Sequence, residues 1–378
     1  MDINLLKILF SVLGFQFLFA ALFLIQSKKG KSLSNKLLAT VFFMIFISVI
    51  ALYLIVFRIE ISIPQLLFID DTFMFAYGPL LYLFTQSVVF KNYKLQKRNI
   101  IHFIPFLFAI CTVIGIFLFV DANSILQPTN QINNHRIPLH FRFGELLILG
   151  HIFFYLFKSK QDIKKVVGKV KDLYSTFNQD NFKLLKFIIN SFIILFSLSL
   201  FHSMVRFIGV QTGLFITILL LILFMFYFIN SILLKLLNQS SKDSGAITQV
   251  DYEKKEKYAG SNLSEAALKG YIKSIGDYME DKQRYLDSEL TISDLSKELD
   301  IPSKIVSQVI NEGFKCNFFD FVNKYRIEAA KSLFKNQADK KLTIQEVMYD
   351  TGFNSKSSFN TAFKKITTQT PTQFRNSI

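Results

Sequence analysis

The last quarter of the chain writes one pattern twice. Leu290-Thr291-Ile292-x-Asp294-Leu295 returns as Leu342-Thr343-Ile344-x-Glu346-Val347, an offset of 52 residues. In the second copy Thr343 and Glu346 form a capping box that opens a short helix. Gly352 follows where the chain must stop and swing, a place suited to a residue at ease with positive φ. At the same offset the first copy has Asp300, and Asp is among the few non-Gly residues that tolerate that conformation. Ser355 can cap a second helix, whose Phe359, Ala362 and Phe363 share one face. The opposite face carries Lys356, Ser357, Asn360, Thr361 and Lys364, all able to hydrogen-bond to base edges or phosphates. This is the layout of a helix-turn-helix, present twice.

Between the copies, Asn317 to Phe334 predicts a helix with one apolar stripe: Phe318, Phe321, Val322, Tyr325, Ala329 and Leu333. At ~1.5 Å per residue it spans ~25 Å, a length that could set two reading helices on successive major grooves, ~34 Å apart. Together, Leu290–Arg375 resembles the C-terminal DNA-binding domain of the AraC/XylS transcription regulators. The resemblance rests on both helix-turn-helix units, the connecting helix and the run from Gly352-Phe353 through Phe363-Lys364-Lys365 to Thr370-Pro371-x-x-Phe374-Arg375. It implies base contacts from Lys304, Ser307 and Gln308 in the first unit and from Lys356, Ser357, Asn360 and Thr361 in the second. It implies RNA polymerase as a partner. Asn311, Lys364 and Lys365, toward helix ends, suit phosphate. The chain departs from the family at Thr361 and Gln308, where Arg is frequent, and at Thr368, where Gly is.

The remainder has a different character. Apolar residues make up 51% of the chain, with 44 Phe and a mean hydropathy of +0.35, more than a soluble globular protein carries. Seven apolar segments, at about 3–26, 37–57, 65–90, 99–120, 139–157, 184–208 and 213–237, each approach the length that crosses ~30 Å of hydrocarbon. The first is too long for a signal peptide, and its Lys28, Lys29 and Lys31 follow the apolar run instead of preceding it. Alternate loops are lysine-rich: Lys28, Lys29, Lys31 and Lys36; Lys91, Lys94, Lys97 and Arg98; then Lys158, Lys160, Lys164, Lys165, Lys169, Lys171 and Lys183. The positive-inside rule makes those loops cytoplasmic, the N-terminus external and, with seven spans, the C-terminus internal, in the compartment that holds DNA. The expected location is the bacterial cytoplasmic membrane. Net charge is +15, but residues 1–237 hold 22 Lys/Arg against 9 Asp/Glu, so most of the excess belongs to membrane loops. Residues 303–378 hold 12 against 6, an electropositive section containing both reading helices.

Ionisable residues inside lipid are costly and prompt a functional hypothesis. Asp70, Asp71, Arg142, Glu145, His202 and Arg206 all fall within about two turns of the external side. They form either an outward-facing pocket for a small polar ligand or a set of interhelical ion pairs with snorkelling side chains; the pairs Arg142/Glu145 and His202/Arg206 each share a helical face. His151 also lies in the fifth segment. Gly78-Pro79 marks a kink, as hinge or as packing irregularity. No Lys lies deep in the last segment as a retinal protein needs. No His/Asp/Glu spacing supports a metal site, and neither a catalytic set nor a cofactor motif occurs. Cys111 and Cys316 read as two reduced thiols.

The expected organisation is all-α: a seven-helix transmembrane bundle over 1–237, a polar linker over 238–261, an amphipathic connector helix within 262–289 and the DNA-binding domain over 290–378. Asn262 with Glu265 opens the connector, whose Leu268, Tyr271, Ile272, Ile275 and Met279 serve either packing or dimer and relay contacts. The expected function is membrane-anchored transcription regulation, with double-stranded DNA, membrane lipid, a small ligand and a second copy as partners. A transporter or membrane enzyme using its tail only for protein contacts is the competing reading.

Overall fold

The computed structural model describes residues 3–27, 32–57, 69–91, 93–119, 139–176, 180–208, 211–240, 250–251, 263–336 and 342–378. Apart from two two-residue strands, Phe90–Lys91 and Val250–Asp251, every element named there is helical. The residues cluster into two compact units, Met1–Ile163 with Lys183–Gly245, and Lys164–Phe182 with Ala246–Ile378.

The first unit holds the long apolar helices α1 (Ile3–Gln26), α2 (Leu33–Val56), α3 (Ile69–Val89), α4 (Ile104–Phe119), α5 (Leu139–Leu173), α6 (Asp180–Ile208) and α7 (Gln211–Ser240), the last residues of α5 and the first three of α6 belonging to the second unit. Its centre is aromatic: Phe42 meets Phe17 at 5.9 Å and Phe228 at 6.3 Å, and Phe228 meets Phe192 at 5.3 Å. Outward faces stay apolar as well, with Phe108, Leu147 and Phe207 among the exposed large side chains. Among the described residues, six helical stretches are long and apolar enough to cross a membrane. The expected fifth span, 139–157, forms a helix but is not one of those six. It carries Glu145 within the span and runs on to Leu173 with lysines throughout its second half. Gly78 is a packing position: a Cβ there would lie 3.3 Å from the Ile152 Cα and 3.0 Å from the Tyr155 ring, so α3 and α5 touch closely beside Pro79, which lies inside the continuous α3.

The second unit builds the tandem pattern. Helix α8 (Glu265–Lys282) is capped by Ser264, whose hydroxyl accepts from the Ala267 N–H, so the helix starts two residues after the expected cap, Asn262, which lies outside the described residues. Its Ile275 and Met279 are buried in the core of the first copy, with Leu268, Tyr271 and Ile272 packed beside them. The connector stripe thus serves packing. A 3-10 turn, Arg284–Leu286, leads to α9 (Ile292–Glu298), then α10 (Ser303–Gln308), which continues as a π-helical turn through Val309–Gly313. Helix α11 (Phe318–Asn336) connects to α12 (Ile344–Asp350), α13 (Lys356–Thr367) and α14 (Pro371–Asn376).

Both capping boxes form. Thr291 Oγ1 accepts from the Asp294 N–H at 3.2 Å while Asp294 accepts from the Thr291 N–H; Thr343 and Glu346 repeat the exchange. Both turns take the left-handed conformation, Asp300 at φ 53° and Gly352 at φ 80°. Helix α11 departs from its expectation. Instead of one stripe it is gripped on two sides: Phe318, Phe321 and Val322 enter the first core, while Ile327, Ala330 and Phe334 enter the second. Asn323 and Arg326 are buried too, at 2% and 1% exposure.

Two stability outcomes follow from the left-handed positions. Thr368 ends α13 at φ 63° on the exposed surface, where a β-branched residue is strained. Thr368→Gly should stabilise the unit by ~1 kcal/mol in chemical unfolding. At Gly352 any Cβ would meet the Tyr285 and Leu286 carbonyl oxygens at 2.7 Å. Gly352→Ala should therefore cost ~2–4 kcal/mol. The Asp294 carboxyl is held below the usual range, chiefly by its hydrogen bonds from Thr291. A depressed folded pKa stabilises above the unfolded value and loses that contribution as pH falls through the folded one. Fraying of α9 on acidification, followed by the NMR titration of Asp294, checks the sign.

Candidate nucleic-acid interface

Helix α13 earns its place by burying one face and presenting the other. Phe359 and Phe363 are fully buried and Ala362 is 7% exposed. The rings form a chain, Phe353–Phe359 at 5.2 Å, Phe359–Phe363 at 5.6 Å, and Phe363 against Phe374 at 5.4 Å and Phe334 at 5.9 Å. Ser355 caps the helix by accepting from the Ser358 N–H at 3.2 Å. With that face locked, Lys356, Ser357, Thr361 and Lys364 are exposed and Asn360 is half-buried. They lie along ~12 Å of a helix that runs 12 residues, ~18 Å in all, the size of a reading helix in a major groove.

A groove of about 640 Å³ adjoins this face, lined by Asn360, Thr361, Lys364, Lys365, Thr370, Pro371 and Thr372. The last three come from the start of α14 and are additions to the sequence-derived set; the Thr-Pro pair signals a helix start but not its position beside α13. Lys365 is held by Asp320 of α11 at 2.8 Å, which joins the reading helix to the connecting one. Its remaining exposure still leaves it at the groove edge. Arg375 donates to the Leu342 carbonyl at 3.5 Å and ties α14 back to the start of α12.

The first copy presents less. Lys304 is exposed on α10, but Ser307 and Gln308 are each only 8% exposed. Gln308 donates to Glu312 at 3.0 Å, and Asn311 donates to the Ser307 hydroxyl at 3.4 Å. The π turn that follows packs beneath α8, with a Cβ at Gly313 meeting Ile272 at 2.6 Å. In this arrangement the second copy carries the open polar surface and the first carries mostly its support.

The intramembrane candidates sort differently. Glu145 of α5 and Arg206 of α6 form an ion pair at 2.6 Å, and His202 shares a 2.7 Å hydrogen bond with Thr217 of α7. Both are contacts between helices, the kind that the ion-pair alternative for these residues names. Asp71 is exposed; the side chains of Asp70 and Arg142 lie outside the described residues. His151 packs edge-on against Tyr155 at 5.0 Å and Phe75 at 5.9 Å.

Residues 295–377 match the family described as a helix-turn-helix domain. The C-terminal part of the chain is an AraC-type helix-turn-helix domain. Over 104 residues the chain is 33% identical to HTH-type transcriptional regulators of Staphylococcus aureus strains COL, MSSA476 and N315. The shared stretch is 28% of this chain and spans about an eighth, 13%, of those relatives' length. No solved structure gives a significant match. The likeness thus concerns the double helix-turn-helix alone.

The exposure difference between the copies generates a comparison. Lys356→Ala should weaken duplex binding by ~1–3 kcal/mol and relax preference at the contacted base. Ser307→Ala, in the buried helix, should change affinity by less, as measured by fluorescence anisotropy on the same duplex.

Proposed function

We propose that this chain is a sequence-specific DNA-binding transcription regulator anchored in the bacterial cytoplasmic membrane by its N-terminal helices. The observation that carries the reading is α13: a capped helix locked by a phenylalanine chain, with Lys356, Ser357, Asn360, Thr361 and Lys364 on its outer side, inside a matched helix-turn-helix domain. Lys356, Ser357, Asn360 and Thr361 are the assigned base contacts of the second copy. Lys364 and Lys365, with Asn311 from the first, serve phosphates, and Lys304 joins them at the first copy's exposed edge.

Apolar helices and lysine-rich alternate loops support the membrane half of the proposal. An external N-terminus and internal C-terminus bring the reading helices to the chromosome. Residues 1–237 are assigned to signal reception, and a ligand acting at Glu145 and Arg206 would have to compete with their ion pair. Such a ligand shifts the regulator only through unequal affinity for two states. Lipid, duplex DNA, RNA polymerase and a second copy are the partners assigned.

The test uses the full chain in lipid nanodiscs with duplexes selected from a random library. Binding should be sequence-selective and fall steeply with salt, log K against log[salt] giving a slope of about −0.9 per phosphate neutralised. Absence of duplex binding would favour a tail that serves only protein contacts. A reporter fused after Ile378 should be active only as a cytoplasmic fusion.

A further inference from the structure

The second unit contains a segment that its helix-turn-helix pattern does not explain. Residues 164–182, which include the last part of α5 and the first residues of α6, cluster with the reader although the rest of those helices belongs to the first unit. The end of α5 and the three residues after it form a short strap. Tyr174 pairs with Thr291 in an antiparallel bridge, and the Ser175 N–H donates to the Leu290 carbonyl at 3.1 Å. The Thr176 hydroxyl donates to the Ser288 carbonyl, and the Lys171 ammonium stands 5.6 Å from the Phe319 ring centre.

What the strap covers is a polar face of α11. Phe319, Asn323 and Arg326 follow at i, i+4 and i+7 and so share one side of the helix. Arg326 is 1% exposed and its guanidinium donates to four oxygens: the Tyr285 carbonyl at 2.6 Å, the Asp287 carbonyl at 2.7 Å, the Ser175 carbonyl at 3.2 Å and the Ser175 hydroxyl at 3.1 Å. Half of these partners come from the strap. Removing them would leave buried donors unmet beside a charge already costly to bury. Between the two strap contacts lies Asn323, 2% exposed, whose amide oxygen and nitrogen have no hydrogen-bond partner among the described residues. Burying an amide unpaired is unfavourable, so the closed contact is set against a penalty that opening and hydration would relieve. That balance marks a surface that can part, unlike the apolar cores on either side.

The same junction also receives the second copy. Gly352 lies against the Tyr285 and Leu286 carbonyls, and Phe353 sits 5.5 Å from the Arg326 guanidinium carbon. We propose that this α11 face and the 285–291 junction form a docking site for residues 171–176 of the same chain. The docked strap braces the junction on which both helix-turn-helix copies rest. Its release would let the two reading helices shift relative to one another.

Hydrogen exchange on the full chain in nanodiscs, comparing wild type with Ser175→Pro and Ser175→Ala, tests the docking. Ser175→Pro deletes the N–H to Leu290 and should speed exchange about tenfold across 284–291 and 319–326, with Ser175→Ala, which loses only the hydroxyl, in between. Unchanged exchange in both variants would overturn the proposal. A second measurement does not depend on how Ser175→Pro folds. Tyr174 and Thr291 are the bridge pair without mutual hydrogen bonds, whose Cα atoms approach to ~4.5 Å, within disulfide range. In a chain with Cys111→Ser and Cys316→Ser, Tyr174→Cys with Thr291→Cys should cross-link under mild oxidation; no cross-link would again overturn it.

The bracing claim rests on the DNA-binding reading, and its arm uses a duplex selected with the wild-type chain. Ser175→Pro should bind it about tenfold more weakly, and by linkage the duplex should slow exchange at residues 174–176 in the wild type. Equal or tighter binding by Ser175→Pro would sink the brace. Failure of the wild type to bind any duplex would sink the functional reading instead, leaving exchange and cross-linking to decide the docking.

Discussion

A guanidinium taken out of water must be met by oxygens arranged around it, and in the reader unit that requirement falls on Arg326. Burial lowers its pKa to about 10, against the raising influence of Asp287 and Glu289, so it stays charged at neutral pH. Among its hydrogen-bonded neighbours it uses no carboxylate; three of the four acceptors are backbone carbonyls. Each of those carbonyls belongs to a stretch without α-helix of its own: the 3-10 turn, the residue after it, and the strap. Lysine could not substitute, because one ammonium cannot spread planar donors over four acceptors in two separate chain segments. The residue therefore organises the irregular backbone that separates the regular helices. The stacked rings of Tyr285 and Tyr325, 5.7 Å apart, close the site from the side.

The two copies of the pattern share local chemistry and differ in what they expose. Each opens with a capping box and bends at a left-handed residue. Yet the first recognition helix is only six residues before its hydrogen bonding shifts to the π pattern, and it is covered by α8 at Ile272. The second runs 12 residues with an uncovered polar side. Duplication of a fold unit does not oblige duplication of its surface: a helix that supports the connector on its back has less of itself left to offer a groove. On the proposed reading the affinity should then be divided unequally between half-sites, the second copy reading bases and the first helping to position the protein.

What could be read from the residues follows the range of the interaction. Capping boxes, the left-handed positions Asp300 and Gly352, and the apolar face of α13 depend on neighbours within a few positions, and all were legible. Arg326 and Asn323 were not. In a helix with period 3.6 they fall on the side that charge and amide content assign to water, and only a distant segment, 151 residues earlier for Ser175, makes that side interior. The same limit explains the intramembrane charges. Spacing along α5 and α6 tells which charges share a face and that pairs between helices can form, but not which residues meet; the ion pair joins Glu145 to Arg206 across 61 residues. The cap of α8 was misplaced for a smaller reason: Asn262 and Ser264 both precede acids or apolar residues at capping distance, and the choice between them turns on backbone direction, which composition does not encode.

Helix α5 draws these parts together. It is one element from Leu139 to Leu173, and 28 steps at 1.5 Å separate Glu145 from its last residue, roughly 40 Å of hydrogen-bonded rod. A helix of that kind resists compression and bends only gently unless a proline, glycine pair or bulge interrupts it. Gly150 and Gly168 occur singly, each with open space where a Cβ would stand, and no proline lies inside. On the proposed reading, a change at the Glu145–Arg206 pair would reach the strap along the same continuous helix. For coupling between a signal and the reader, stiffness matters more than proximity in sequence, because only a rod preserves a displacement along its length. On the proposed reading, then, the coupling to weigh first is the one along α5 to the strap whose Ser175 meets Arg326.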